Sequence, residues 1–310
     1  MTHYLAIDFG GTRTRTAWFD QSLTLIERAE TLSQVSDSVE TVIQRIIDTA
    51  HSVVPTGKKP DVIGISGPSP MDAEQGIILH AKTLPGWGSV PLGARISAAF
   101  DGVPTIMNND ANLAALAEYR FGAGRNCDPM IYLTISTGIG GGAIIGGKLF
   151  TGWRDLAIEP GHMRFTLPDG SLRRLEDLAS GTALGHRATE RLKVDNRPSL
   201  LREYETVDGK AVSQAATAGD ILAQDLITET GHWLGLGLVN ILHMFNPQAI
   251  VIGGGVSQLG DLLLQPVKQV IEDNILDPAF NDKDLIRLAE LADDVCLYGA
   301  AYYCSLTLSH

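Results

Sequence analysis

The sequence predicts an α/β protein made of two similarly built lobes. Short apolar runs with strand character alternate with helical periods along nearly all of the 310 residues. A strand, a glycine turn and a returning strand occur twice, near residues 8–19 and 132–150. The length also suits about two domains. The division is expected near residue 112, giving lobes of residues 1–112 and 113–296. A terminal helix over about residues 297–310 is expected to pack back on the first lobe.

The elements follow in order. His3 to Phe9 is compact and apolar, Thr14 to Phe19 mixes β-branched and aromatic residues, and Gly10-Gly11 between them reads as a hairpin turn. Leu23 to Arg28 suits a third strand. Ser36 to Val53 has a helical period, with Val39, Val42, Ile43, Ile46 and Ile47 on one side. Val62 to Ile65 is a short buried strand before a Gly-Pro-Ser-Pro loop at 67–70. Pro91 to Phe100 and Ala111 to Phe121 read as helices around a strand at Pro104 to Met107. Met130 to Ile135 and Gly142 to Ile145 are strands joined by a glycine-rich turn. The pattern weakens between 151 and 210, with helices expected at 175–179 and 182–192. Asp220 to Phe245 is a long helix. Ala249 to Ile252 is a buried strand, followed by Gly253-Gly254-Gly255 and a helix from Leu259 to about Asn274. Val295 to Leu306 is the last helix.

Composition narrows the function. A hydrophobic fraction of 44% supports substantial cores, and 24 basic against 36 acidic residues give a formal charge of −12. Such a chain repels phosphodiester backbones, so no nucleic-acid partner is expected. An anionic ligand would need local backbone N–H groups or a cation. Cys127, Cys296 and Cys304 form no CxxC pair and no metal-ligand spacing, which points to a reducing compartment. No apolar run approaches 18 residues and no signal-peptide pattern is seen, so no membrane partner is expected and the cytoplasm follows by default.

Three glycine clusters suggest phosphate. In Asp8-Phe9-Gly10-Gly11-Thr12, adjacent glycines allow close backbone approach, Asp8 is an acceptor able to hold a magnesium-bound water, and Thr12 is a hydroxyl donor. A plain polar hairpin turn is the competing reading. Ser136-Thr137-Gly138-Ile139-Gly140-Gly141-Gly142 repeats the chemistry. Gly253-Gly254-Gly255 joins a strand to a helix whose N-terminus would favour an anion or an adenine laid on bare backbone. Gly142 to Lys148 satisfies G-x-x-x-x-G-K, but Leu149 stands where a P-loop needs Ser or Thr. Gly138-x-Gly140-x-x-Ala143 fits a degenerate dinucleotide fingerprint, yet strand rather than helix follows it.

Polar residues suited to a sugar lie elsewhere. Asn108-Asn109-Asp110-Ala111-Asn112 sits at a strand–helix junction, where a helix cap is the plain reading. The helix dipole would also keep Asp110 ionised as an acceptor for a hydroxyl proton, with Asn109 as both donor and acceptor. Glu159-Pro160-Gly161-His162 is not expected to be a helical metal motif, because Pro160 and Gly161 oppose helix. As a loop it presents a carboxylate and an imidazole together. Glu176 opens a helix, and Trp87 in Leu84-Pro85-Gly86-Trp87 reads as core.

Taken together, these pieces resemble the ROK family of sugar kinases and repressors. The match runs in family order through Asp8–Thr12, Leu84–Trp87, Asn109–Asn112, Thr137–Gly142, Glu159–His162, Glu176 with Ser180-Gly181, and Gly253–Gly255. The resemblance implies a two-lobed actin-like ATPase fold of the ribonuclease H-like kind, with sugar and ATP in a cleft between the lobes. It implies Asp110 as the catalytic base. Asn109, Glu159, His162 and Glu176 would bind sugar, with Gly67 and Thr83 beside them. Asp8, Gly10, Gly11, Thr12, Thr137, Gly138 and Gly254 would surround the nucleotide. ATP and Mg²⁺ are implied as cofactors, the metal held mainly through the nucleotide, and a homodimer is the family expectation. The family's zinc cluster of one His and three Cys would fall between His162 and Glu176, where Met163 to Leu175 holds no Cys, so zinc is expected to be absent. Thr83 and Ser69 also depart from the family's Asn and Gly, which bears on sugar specificity. The expected reaction is phosphorylation of a hexose or N-acylhexosamine hydroxyl at C6, as in glucokinases. A non-catalytic sugar sensor and a polyphosphate-using kinase are the alternatives.

Overall fold

The computed structural model describes residues 2–81 and 84–308. It opens with β1 (His3–Phe9), β2 (Arg13–Asp20) and β3 (Leu25–Leu32), followed by α1 (Val39–Val53) and β4 (Val62–Gly67). A small ribbon of β5 (Met71–Asp72) and β6 (Ile77–Ile78) precedes α2 (Leu92–Ala99), β7 (Thr105–Asn109) and α3 (Asp110–Phe121). Next come β8 (Met130–Ile135), β9 (Ile139–Ile145), β10 (Lys148–Leu149), and a second ribbon of β11 (Arg164–Thr166) and β12 (Leu172–Arg174). Four helices follow: α4 (Leu175–Ala179), α5 (Gly181–Val194), α6 (Gly209–Thr217) and α7 (Ile221–Phe245). The chain ends with β13 (Ala249–Gly253), α8 (Asp261–Asn274), β14 (Ile286–Leu288) and α9 (Val295–Thr307).

These elements form two compact units. The first comprises residues 1–121, 152–155 and 293–310, and the second residues 122–151 and 156–292. The first unit keeps α3 whole and takes in α9, which packs on β1, β4 and α3.

Each unit has its own five-stranded sheet, ordered β3-β2-β1-β4-β7 in the first and β10-β9-β8-β13-β14 in the second. The pairing repeats. β1 runs antiparallel to β2 and parallel to β4, which is parallel to β7. β8 runs antiparallel to β9 and parallel to β13, which is parallel to β14. The double occurrence of the hairpin motif is thus a repeat of sheet topology.

The cores explain the patterning. Strands buried on both faces read as continuous apolar runs. Leu5, Ile7, Ile63 and Ile65 pack with Ile43 and Ile46 of α1. Leu133, Ile250 and Ile252 pack with Leu234, Leu238 and Ile271 of α7 and α8 in the second unit. Each such side chain removed from water stabilises by about 1.5–3 kcal/mol. Helix starts are capped as their residue types require. Ser38 accepts from the Thr41 N–H at 3.2 Å, and Asp220 accepts from the Ala223 N–H at 2.9 Å. Trp87 is core, 3% exposed with its ring 5.0 Å from that of Phe9.

Two expectations need correction. Gly253-Gly254-Gly255 does not run into an α-helix; a 3₁₀ turn at Gly255–Leu259 intervenes, and α8 starts at Asp261. The glycine-rich turn after β8 is also shorter than expected. β9 begins at Ile139, so Gly140, Gly141 and Gly142 are strand residues paired with Thr134, Leu133 and Tyr132. The β10 segment after the Gly146-Gly147 turn is strand, which disposes of the P-loop reading. Among the described residues, no helix is long and apolar enough to cross a membrane.

Candidate active site

In parallel α/β sheets, ligands collect beyond the carboxyl ends of the strands. The register of the first sheet puts Asp8 opposite Ser66, Ser66 opposite Asn108, and Gly67 opposite Asn109. The ends of β1, β4 and β7 thus bring Asp8, Gly67 and Asn109 side by side, with Asp110 next in the chain. Distant sequence segments meet here because three parallel strands stop at one level.

The β1–β2 turn is held from beneath. Gly10 N–H donates to Arg13 O at 3.0 Å, Ser33 N–H to Thr12 O at 2.9 Å, and Ser33 Oγ to Gly10 O at 2.7 Å. Ser33 is fully buried, while Gly11 is half-buried and Thr12 exposed. Asp8 is 8% exposed and accepts from Arg15 Nη1 at 3.2 Å. Burial pushes its carboxyl above the ordinary range, and the Arg15 guanidinium pulls the other way. Arg15 also pairs with Glu30 at 3.2 Å. Sequence reasoning missed Arg15 and Ser33. The hairpin register, once set by the Gly10-Gly11 turn, pairs Arg15 with Asp8, so that position was available to be found.

Asn109 carries the cap expected at this junction. Its Oδ1 accepts from Asn112 N–H at 2.7 Å, which leaves its amide NH₂ to offer a ligand. Asp110 is the first residue of α3, exposed, with Oδ1 accepting from Ala111 N–H at 2.8 Å. The helix N-terminus favours its ionised form. Asn108 Oδ1 accepts from Asn109 N–H at 2.8 Å and from Asn112 Nδ2 at 2.9 Å, locking the junction. Cys296 of α9 donates its S–H to Asp110 O at 3.7 Å. Burial, with Asp8 and Asp110 nearby, pushes that thiol well above its usual range. The Gly67 position faces Ile78 and Met71, 3.2 and 3.3 Å from where a Cβ would stand. Thr83 lies outside the described residues.

The second unit holds the remaining expected residues. Ser136-Thr137-Gly138 forms the β8–β9 turn, closed by Ser136 N–H donating to Gly138 O at 2.9 Å. Gly181 N–H donates to Ser136 O at 2.7 Å, tying the start of α5 to the same turn. The register of β8 with β13 sets Gly253 opposite Thr134, which brings the third glycine cluster beside this turn. Gly254 has φ +89°, and a Cβ there would stand 2.5 Å from Ile135 O, so only glycine fits. A cavity of about 940 Å³ opens here, lined among others by Thr137, Gly181, Gly185, Lys210, Gln214 and Gly255. Its volume lies in the range of small-molecule sites. Thr137 lines it. Gly138 and Gly254 are not among its lining residues. The α6 side of the wall was missed by sequence reasoning because residues 195–217 carry little apolar period, whereas α5 corresponds to the helix expected at 182–192.

Glu159, His162 and Glu176 also come together. Pro160–His162 is a 3₁₀ turn, with His162 N–H donating to Glu159 O at 3.1 Å. Partial desolvation pushes the Glu159 carboxyl above its ordinary range; His162 opposes this and Glu176 adds to it. Glu159 and His162 are exposed and Glu176 is half-buried. Glu176 Oε2 accepts from Ile139 N–H at 3.1 Å and lies 2.5 Å from where a Gly138 Cβ would stand. Glu176 is therefore more than a solvated helical carboxylate: it braces the phosphate-type turn. Between His162 and Glu176, the β11–β12 ribbon takes the place expected of a zinc loop. Among the described residues, no group of three or more His, Cys, Asp or Glu side chains assembles as metal ligands.

The sequence profile of the ROK family matches residues 4–305. The chain belongs to the ROK family. This ROK chain is 31% identical over 313 residues to a glucokinase of Halalkalibacterium halodurans, covering 96% of this chain and 94% of the relative. A xylose repressor of Caldicellulosiruptor bescii is 31% identical over 244 residues, covering 76% of this chain and 60% of the repressor. Among solved structures, a ROK family glucokinase from Streptomyces griseus in complex with glucose and AMPPNP shares 31% identity, with a TM-score of 0.82 over 97% of this chain and 98% of that one. The fold is accordingly that of the actin-like ATPases, and this ROK chain is a sugar kinase.

Proposed function

We propose that the chain transfers the γ-phosphoryl group of ATP to the C6 hydroxyl of a hexose, glucose first among the candidates, with Asp110 as general base. The observation that carries this reading is the in-register meeting of Asp8, Gly67 and Asn109–Asp110 at one sheet edge. The cavity beside the Thr137 turn and the glucose–AMPPNP complex of a ROK glucokinase support it.

In this mechanism Asp110 accepts the hydroxyl proton as the sugar oxygen attacks the γ-phosphorus, and ADP leaves with the electrons of the broken P–O bond. Position one of α3 sets Asp110 at the positive end of the helix dipole, which favours the carboxylate form. Asn109, Glu159, His162 and Glu176 orient the sugar, so that binding energy is spent on alignment. Backbone N–H groups of Gly11, Thr12, Thr137 and Gly138 would take up the growing charge on the phosphoryl oxygens. Magnesium would be held mainly through the nucleotide, with Asp8, bonded to Arg15, as a carboxylate suited to a metal-bound water. When bound, the ion neutralises phosphate charge.

The test is a sugar panel with ATP and Mg²⁺, ranked by kcat/KM, together with Asp110→Asn. General-base catalysis is worth about 10²–10⁴-fold. The variant should lose at least that order of kcat while still binding sugar. Near-normal turnover by the folded variant removes Asp110 from the role. The repressor likeness supports a second reading, a sugar sensor without turnover. Absence of sugar-dependent ADP release with every sugar would favour it, and turnover with polyphosphate in place of ATP would change the donor.

A further inference from the structure

Ile158, immediately before Glu159, has φ +62°. A β-branched residue pays a steric cost in this left-handed region and persists there only where its surroundings over-determine it. The surroundings do so. A Cβ at Gly141 would stand 3.1 Å from Ile158 Cγ2 and 2.8 Å from Pro160 Cγ. A Cβ at Gly161 would stand 2.3 Å from Ile139 O. Ile158 is half-buried and packs against the core of the second unit. Just upstream, Ala157 N–H donates to Thr151 O at 2.9 Å and closes the base of the preceding loop. The 158–162 segment is therefore pressed onto the first half of β9 at two bare glycines. One glycine on each side serves this contact: Gly141 of β9 admits Ile158 and Pro160, and Gly161 admits Ile139 O. Ile139 of the same strand donates its N–H to Glu176.

We infer that Ile158 is a positioning residue for sugar recognition: its side chain, wedged against Gly141, holds the backbone in the left-handed turn that aims Glu159. This rests on the proposed role of Glu159 toward a sugar hydroxyl. A glycine at 158 would adopt φ +62° without strain but would lose the wedge. A valine would keep the branch and most of the packing.

The experiment measures KM for glucose, KM for ATP, kcat and Tm in Ile158→Gly, Ile158→Val, Gly141→Ala and Glu159→Gln. Misplacing a binding group by about 1 Å can cost on the order of 10²-fold. Ile158→Gly and Gly141→Ala should therefore raise KM for sugar by about tenfold to a hundredfold. KM for ATP should stay within about twofold, and Ile158→Val should restore sugar KM to near wild type. A wild-type sugar KM in Ile158→Gly overturns the inference. So does a parallel rise in both KM values with a falling Tm, the mark of a merely structural role. An unchanged sugar KM in Glu159→Gln instead overturns the role of Glu159 itself. A Gly141→Ala variant that fails to fold leaves the Ile158 pair to decide.

Discussion

At the scale of single residues, the site is built by holding charge where the fold would otherwise suppress it. Asp8 is buried, and the Arg15 guanidinium offsets part of the resulting cost. Glu159 is a parallel case, since partial burial pushes its carboxyl up as well and His162 opposes this. A carboxyl whose pKa is higher in the fold than unfolded contributes stability that is full below the unfolded value and lost as pH rises through the folded one. Ionised Glu159 is thus a cost to the fold at neutral pH. Glu159→Gln should raise Tm slightly at pH 7, with the gain vanishing below about pH 4, while KM for sugar rises. A Tm lower than wild type at pH 7, by calorimetry, would contradict the sign. The residue types of Asp110, Glu159 and His162 were legible in the sequence, because few other patterns put those groups on loops and helix starts. Arg15 was legible only through the hairpin register, and Ile158 was not legible, since its part depends on a dihedral angle.

Secondary-structure elements matter here chiefly through their ends. β1, β4 and β7 end together, and α3 starts at that edge, so a strand–helix junction gathers Asp8, Gly67, Asn109 and Asp110 in one place. The sequence showed this junction, the first hairpin and the long α7, all with strong apolar periods or glycine turns. It did not show where β9 starts, because a run of glycines reads equally as turn or strand; pairing with β8 decides in favour of strand. Nor did it show α6, whose nine residues hold too short a period. The short α4 depends on its cap. Arg174 N–H donates to Asp177 Oδ2 at 3.1 Å, and the Arg174 side chain bonds the same carboxylate, holding Asp177 down at about 2. A lowered carboxyl contributes stability present above its unfolded value and lost as pH falls toward the folded one. Asp177→Asn should therefore lower Tm at pH 5–7 and lose its effect near pH 2. Because α4 carries Glu176, it should also weaken sugar binding. Equal Tm values at neutral pH would remove the cap from this role.

For the whole molecule, charge and topology set the terms of catalysis. A chain of net charge −12 repels a polyphosphate, and backbone N–H groups supply only partial positive charge. Removing divalent metal with EDTA should abolish ATP turnover and nucleotide-induced stabilisation, yet leave sugar binding measurable by tryptophan fluorescence. ATP and Mg²⁺ at about a hundred times Kd should add about 2.7 kcal/mol of stability. Full turnover in EDTA would overturn the nucleotide-borne metal.

Composition and periodicity were enough to determine the α/β class and the doubled hairpin, and the motifs in order carried the family resemblance that implies a sugar kinase, because each rests on local pattern: apolar spacing, glycine turns and polar residue types in sequence order. Tertiary structure alone decided which glycines admit a neighbour's side chain, that Glu176 braces a turn, and that a β-branched residue stands left-handed before Glu159. Those properties arise from contacts between segments far apart in the chain, where packing outweighs any local preference.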